Sequence, residues 1–168
     1  MLPVRKSAAS PPAVNSQNVS QKSSQKVSLK GRALRLLSGR EHSRAELEKR
    51  LKPHEETPGE LAQALDGLQA KGFISEQRVI ESVINRRQAK LGVARIRQEL
   101  QSKGLDKAAV IDAVAGLQST ELARAREIWN RKFGEVAQDA KERGKQMRFF
   151  ASRGFGGDVI RKLMADDS

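Results

Sequence analysis

At 168 residues, with a formal charge of +12 and no cysteine, the chain has neither a disulfide framework nor a thiolate metal site. Its 38% apolar fraction can bury a core, but with only 4% aromatic residues that core must be aliphatic and thin. No apolar run approaches the roughly 20 residues of a membrane span, so no membrane partner is expected, and the positive charge points to a polyanion: nucleic acid or a protein with an acidic groove.

Residues 1–28 are rich in Ser, Gln and Pro and carry Arg5, Lys6, Lys22 and Lys26 without an acid, a composition that predicts a disordered basic tail. The tail lacks a signal-peptide apolar region, and its prolines oppose an amphipathic transit helix, so a cytoplasmic protein is expected. From Leu29 the apolar spacing becomes helical, with Ala33, Leu34 and Leu37 on a first helix that Ser38-Gly39 ends. Ser43-Arg44-Ala45-Glu46 has the capping-box form, and Leu47 and Leu51 follow before Pro53 stops the second helix. Thr57-Pro58-Gly59-Glu60 predicts another start, with Pro58 at the first helical position, Leu61, Leu65 and Leu68 as the stripe, and Gly72 as the close.

A second set follows. Ser75-Glu76 opens a helix striped by Val79, Ile80, Val83 and Ile84, which Gly92 is expected to end. Val93, Ile96 and Leu100 stripe the next helix, Gly104 supplies a left-handed C′ residue, and Asp106 caps a helix carrying Val110, Ile111, Val114 and Leu117. The third set opens at Thr120-Glu121 with Leu122, Ala125, Ile128, Trp129 and Phe133, passes a polar stretch around Gly144, and closes with helices over 147–153 and 158–164. Trp129, Phe133 and one of the adjacent pair Phe149 and Phe150 are expected to fill the seam between units.

Equivalent apolar positions recur: Leu51, Leu100 and Phe150 are separated by 49 and 50 residues, and Leu68 and Leu117 by 49. A period of that length marks stacked helical units. The expected fold is all-α, an elongated, curved array of three tandem three-helix repeats over 29–74, 75–118 and 119–168, with a nine-helix globular bundle as the alternative.

Catalytic chemistry finds little to stand on. His42 and His54 fit no metal-binding spacing and read as surface or capping residues; Gly144-Lys145 lacks the rest of a phosphate loop; and Gly154-Phe155-Gly156-Gly157 occupies the same helix joint as Gly104. Glu55-Glu56 and Asp166-Asp167 lie in a loop and a tail. No enzyme, metal or cofactor is expected. The cations are more informative, and the candidate contact set is Arg86, Arg87, Lys90, Arg95, Arg97, Arg124, Arg131, Lys132, Arg148 and Arg153. Within it Arg95 has Glu99 four residues on as a pairing partner, Arg86 and Arg87 close a helix, and Arg153, like Lys103, precedes a glycine joint where it suits the negative helix end. Arg97, Arg131 and Arg148 have no such local partner.

The run Arg86, Gly92, Arg95-Ile96, Glu99-Leu100, Lys103-Gly104-Leu105, with Ser43-Arg44-Ala45-Glu46-Leu47 before it and Arg148-Phe149 and Arg153-Gly154-Phe155 after it, resembles the RecX family of bacterial RecA regulators over about 29–164. The departures are Gln146, where the pattern prefers an apolar residue, and the Pro53 to Pro58 loop, which has lost the Lys-Gly joint of the first unit. The resemblance implies tandem three-helix units that bind in the groove of the RecA–DNA filament, contacting RecA and the single-stranded DNA within it. It further implies inhibition of filament extension, ATP hydrolysis, strand exchange and co-protease action, by a protein expected to act as a monomer. A stand-alone, sequence-nonspecific DNA- or RNA-binding protein is the alternative, weakened by the shortage of aromatic stacking platforms.

Overall fold

The structure is a computed structural model that describes residues 25–165. Most of the basic tail, residues 1–24, and the Asp166-Asp167 pair lie outside the described residues. Among those described, the chain is all helix and has no strand. Its elements are α1 (Leu29–Gly39), α2 (Arg44–Leu51), a 3-10 turn (Lys52–His54), α3 (Glu60–Ala70), α4 (Glu76–Arg87), α5 (Val93–Ser102), α6 (Lys107–Gln118), α7 (Glu121–Lys132), α8 (Ala140–Ser152) and α9 (Gly157–Ala165). No helix among the described residues is long and apolar enough to cross a membrane.

The apolar stripes bury in three separate clusters. Leu29, Ala33, Leu47, Leu51, Leu61, Leu65, Leu68 and Ile74 form one. The second gathers Val79, Ile80 and Val83 of α4, Val93, Ile96 and Leu100 of α5, and Val110, Val114 and Leu117 of α6, with Leu105. The third is the aromatic one, with Trp129, Phe150 and Phe155 beside Ala125, Ile128, Ile160 and Leu163. Extensive helix–helix packing likewise falls inside α1–α3, α4–α6 and α7–α9. The fold is therefore three tandem three-helix repeats, here units 1, 2 and 3, and the nine-helix bundle is excluded. Each buried aliphatic side chain contributes about 1.5–3 kcal/mol, which makes every unit a small core that leans on its neighbours.

Local starts and stops differ from the sequence reading in three places, and one stripe residue, Ile111, does not face inward. α3 is capped by neither Thr57 nor Pro58: Gly59, at φ +89°, is its N-cap residue, and Glu55 Oε1 accepts the N–H groups of Gly59 and Leu61, each at 3.1 Å. Gly92 does not end α4, which stops at Arg87; it opens α5 in extended backbone. α8 begins at Ala140 under an Asp139 cap and runs straight through Gly144, because the charged residues there are good helix formers despite their lack of an apolar stripe. Ile111 is 66% exposed, since Val110, Val114 and Leu117 already define the inward face of α6 one residue round.

Two side-chain placements correct the expectation, those of His42 and the aromatic residues, and a third, that of Gln146, shows what a polar side chain does at an inward position. His42 is 3% exposed rather than a surface residue, with Nδ1 3.0 Å from the Arg40 carbonyl oxygen. Gln146 is 7% exposed and holds the α7–α8 loop, accepting the Ala137 N–H at 3.0 Å and donating to the Glu135 carbonyl at 2.9 Å. The aromatic residues fill the core of unit 3 and not the seam between units.

The seams are made by helix ends. At the first, Ser43 Oγ donates to the Lys103 carbonyl at 2.6 Å while accepting the Glu46 N–H, and Lys103 Nζ reaches Glu46 Oε1 at 2.9 Å. At the second, the N–H groups of Gly92 and Ala94 donate to the carbonyls of Arg153 and Gly154 at 2.9 and 3.1 Å, and the Val93 N–H donates to buried Glu121 Oε1 at 2.9 Å. Both seams thus seat the C-terminus of one unit's middle helix on the N-terminus of the preceding unit's middle helix. α8, α5 and α2 form a run in which the negative ends of α8 and α5 each meet a positive helix end.

Candidate nucleic-acid interface

Several of the ten candidate cations already have partners within the protein. Glu99 accepts Arg87 Nε at 2.8 Å and Arg86 Nη2 at 3.4 Å, so this carboxylate ties α5 to α4. The local Arg95–Glu99 pair is not made: Arg95 Nη1 lies 3.5 Å from Gln98 Oε1, and its aliphatic stem lies against Gly154. Arg124 is the most committed of all. Its Nη1 donates to the carbonyls of Gln88 at 2.8 Å and Leu91 at 2.9 Å, and Nη2 to that of Leu117 at 3.3 Å. Burial lowers its pKa, and Glu121 only partly offsets this, but a guanidinium stays charged. Arg148 is exposed on α8 beside Gly144, and Arg97 is exposed on α5, away from both.

The remaining four converge. Lys90, Arg131, Lys132 and Arg153 line one groove of about 510 Å³ between units 2 and 3, together with Ala89, Ile128 and Phe149 and with no carboxylate. Each is brought there by a different local cause. Lys90 rides the α4–α5 turn, where the N–H groups of Lys90 and Leu91 both return to the Arg87 carbonyl; Arg124 pins that turn to α7. Arg131 and Lys132 occupy the last turn of α7, where cations suit the helix dipole. Arg153 is the C-cap of α8, and its carbonyl is held by the Gly92 N–H of the second seam.

Phe149 orients two of these charges. The Arg153 guanidinium carbon sits 3.5 Å from its ring centroid and Lys132 Nζ 4.8 Å from it, while Phe133 meets the ring edge-on at 5.3 Å between centroids. Such cation–π contacts hold the charges against solvent-facing disorder. They also cover a face of the ring that a stacked base would otherwise use. Among the described residues, no carboxylate pairs with Lys90, Arg131, Lys132 or Arg153, so the groove presents a concentrated positive field to phosphates or acidic side chains. No group of His, Cys, Asp and Glu able to hold a metal ion exists among the described residues.

Glu121, Arg124 and Phe149 are the residues whose roles the sequence concealed. Glu121 reads as a helix opener and Arg124 as one more surface charge. Their partners lie tens of residues away, and no local spacing announces them.

Fold and groove together define a helical-repeat protein whose cationic surface straddles two units. Comparison with known proteins places it. The family model described as "RecX, third three-helix domain" matches residues 119–164, and that described as "RecX, first three-helix domain" matches 30–68. The chain is similar to the regulatory protein RecX of Leptothrix cholodnii, 54% identical over 138 residues that cover 82% of this chain and 88% of that protein. It is 48% identical to the regulatory protein RecX of Herminiimonas arsenicoxydans, covering 82% and 91%. The crystal structure of RecX from Lactobacillus salivarius has the same fold, with a TM-score of 0.63 at 20% identity over 82% of this chain and 93% of that one. The chain belongs to the RecX family of regulatory proteins.

Proposed function

We propose that this chain is a non-enzymatic, cytoplasmic regulator that binds along the groove of the RecA–DNA filament as a monomer without a cofactor, and so restrains filament extension, ATP hydrolysis, strand exchange and co-protease action. The observation that carries the reading is the acid-free groove between units 2 and 3, where Lys90, Arg131, Lys132 and Arg153 face one space. A filament groove offers phosphates and acidic side chains in a regular array, and a cationic groove between two stacked units spans successive protomers. Ion release then drives binding, so inhibition weakens with salt; each phosphate contact adds about 0.7 to the magnitude of the logarithmic salt slope on single-stranded DNA.

The test is a triple variant, Lys90→Glu with Arg131→Glu and Lys132→Glu, three exposed positions that leave Arg124 and the seams intact. Inhibition of RecA's DNA-dependent ATPase is expected to disappear while far-ultraviolet circular dichroism stays that of the parent. An unchanged inhibition curve removes the groove from the site. Binding to naked single-stranded DNA as tight as to the filament favours the nucleic-acid coat protein instead.

A further inference from the structure

A second groove, of about 620 Å³, lies within unit 2 between α5 and α6 and has no part in the basic groove. Leu105, Val110 and Val114, core residues only 3–8% exposed, back it; its open apolar surface is Ile111, 66% exposed, with Ala115; Arg97 and Lys107 flank it, and no carboxylate lines it. Among the described residues neither cation has an ion-pair partner. The combination is unlike the basic groove, where charge dominates. An exposed isoleucine over an apolar trough gives nothing to a phosphate, whereas the two cations repel any basic occupant.

That repulsion excludes the chain's own N-terminal segment, which carries Arg5, Lys6 and Lys22 and no acid through residue 24. The trough between α5 and α6 matches the way an amphipathic helix lays one apolar face into a groove. We propose that this groove docks an acidic peptide segment of a protein partner, with large aliphatic side chains seated over Val110 and Val114 against Ile111 and its carboxylates facing Arg97 and Lys107. The inference does not rest on the filament reading, because this groove is lined by none of the four cations that carry that reading.

The experiment uses the full chain and a fluorescein-labelled peptide of Glu and Asp with Leu at i, i+4 and i+7, followed by anisotropy. Its controls are the same peptide with Ser for Leu and a labelled single-stranded oligonucleotide. The leucine peptide is expected to bind at least about tenfold more tightly than the serine peptide, and Ile111→Ser to erase that difference without changing oligonucleotide binding. Arg97→Glu with Lys107→Glu is expected to weaken peptide binding by a further about tenfold or more. Equal binding of the two peptides, or an Ile111→Ser variant that binds like the parent, overturns the proposal. So does self-association of the parent that Ile111→Ser abolishes, since the groove then belongs to a second copy. Failure of the Lys90, Arg131 and Lys132 variant to lose inhibition leaves this test untouched.

Discussion

Replacing Gly92 with alanine tests the seam between units 2 and 3 at a single atom. A Cβ at Gly92 falls 2.3 Å from the Phe155 nitrogen and 2.4 Å from the Gly154 carbonyl carbon and oxygen, all backbone atoms that cannot swing aside. The local conformation is ordinary, with φ −78° and ψ 169°, so alanine adds no strain within α5 and the whole effect falls on the contact. Opening the seam forfeits the two hydrogen bonds from Gly92 and Ala94 to the α8 end, each worth about 0.5–1.5 kcal/mol, so unit 3 should lose about 1–3 kcal/mol of coupling to unit 2. By native-state hydrogen exchange, the amides of residues 92 and 94 should then exchange about 5- to 150-fold faster, while those of Leu65 and Leu68 in unit 1 keep their protection. Filament inhibition should weaken too, because Lys90 sits on one side of the seam and Arg131, Lys132 and Arg153 on the other. Gly67→Ala is the control: its Cβ meets nothing within 4 Å inside α3, and it should stabilise unit 1 by about 0.5–1 kcal/mol. If the Gly92→Ala protein exchanges like the parent at 92 and 94, the end-to-end seam does not join the units and the reasoning fails.

Two other expectations concern buried polar groups. Gln146→Leu supplies the apolar residue that the repeat pattern prefers but strands the Ala137 N–H and the Glu135 carbonyl, so it should lower stability to denaturant by about 1–3 kcal/mol; a stabilised variant would show that the loop needs no such anchor. The first seam should open in acid. Burial pushes the Glu46 pKa up, but hydrogen bonds from Arg40, Lys103 and the Ser43 N–H outweigh it and hold the group at about 2 against an ordinary 4.5. A folded-state pKa below the unfolded one gives stability that is complete above pH 4.5 and lost as pH falls toward 2, here about 1–2 kcal/mol after allowance for solvent screening. His42, lowered from 6.5 chiefly by burial, adds an earlier decline as pH drops below 6.5, because its charged form is favoured only in the unfolded chain. Denaturant titrations across this range should show both limbs in the parent and a clearly smaller lower limb in Glu46→Gln, where Glu55, held low chiefly by Lys52, still titrates; a lower limb of equal size in the two proteins sinks the assignment.

The fold was legible because its signals are local. Ser43 with Glu46, Ser75 and Asp106 all cap the helices their spacing announces, and Gly104 and Gly154 take the left-handed φ expected of a C′ residue, +66° and +83°. What the sequence hid is the second duty of the same residues. Gly104 and Gly154 must also be small because Ala45 and Arg95 press against them, and Gly92, which reads as a helix stop, is small for the same reason. The cations suffered most from this. Counting them finds ten candidates, but only geometry shows that Glu99 has turned away from Arg95 to hold Arg86 and Arg87, or that Arg124 is spent on three carbonyls.

The head-to-tail run of middle helices also accounts for the departure of unit 1 from the repeat. In units 2 and 3 the last turn of the middle helix ends in Lys103-Gly104 and Arg153-Gly154, and the exposed carbonyls there are satisfied by the N-terminus of the helix before. α2 is the last helix of that run among the described residues, so its C-terminal carbonyls have no helix N-terminus to meet. A glycine joint there would point orphan carbonyls and a cation at solvent to no purpose. Instead α2 tightens into the 3-10 turn Lys52–His54, which closes the helix end on itself, and the released Glu55 turns back to cap α3 and pair with Lys52. The 3-10 turn and Glu55 thus do in the Pro53 to Pro58 loop what the glycine joint does in units 2 and 3, and grafting Lys-Gly into that loop would free carbonyls that, among the described residues, no helix N-terminus meets.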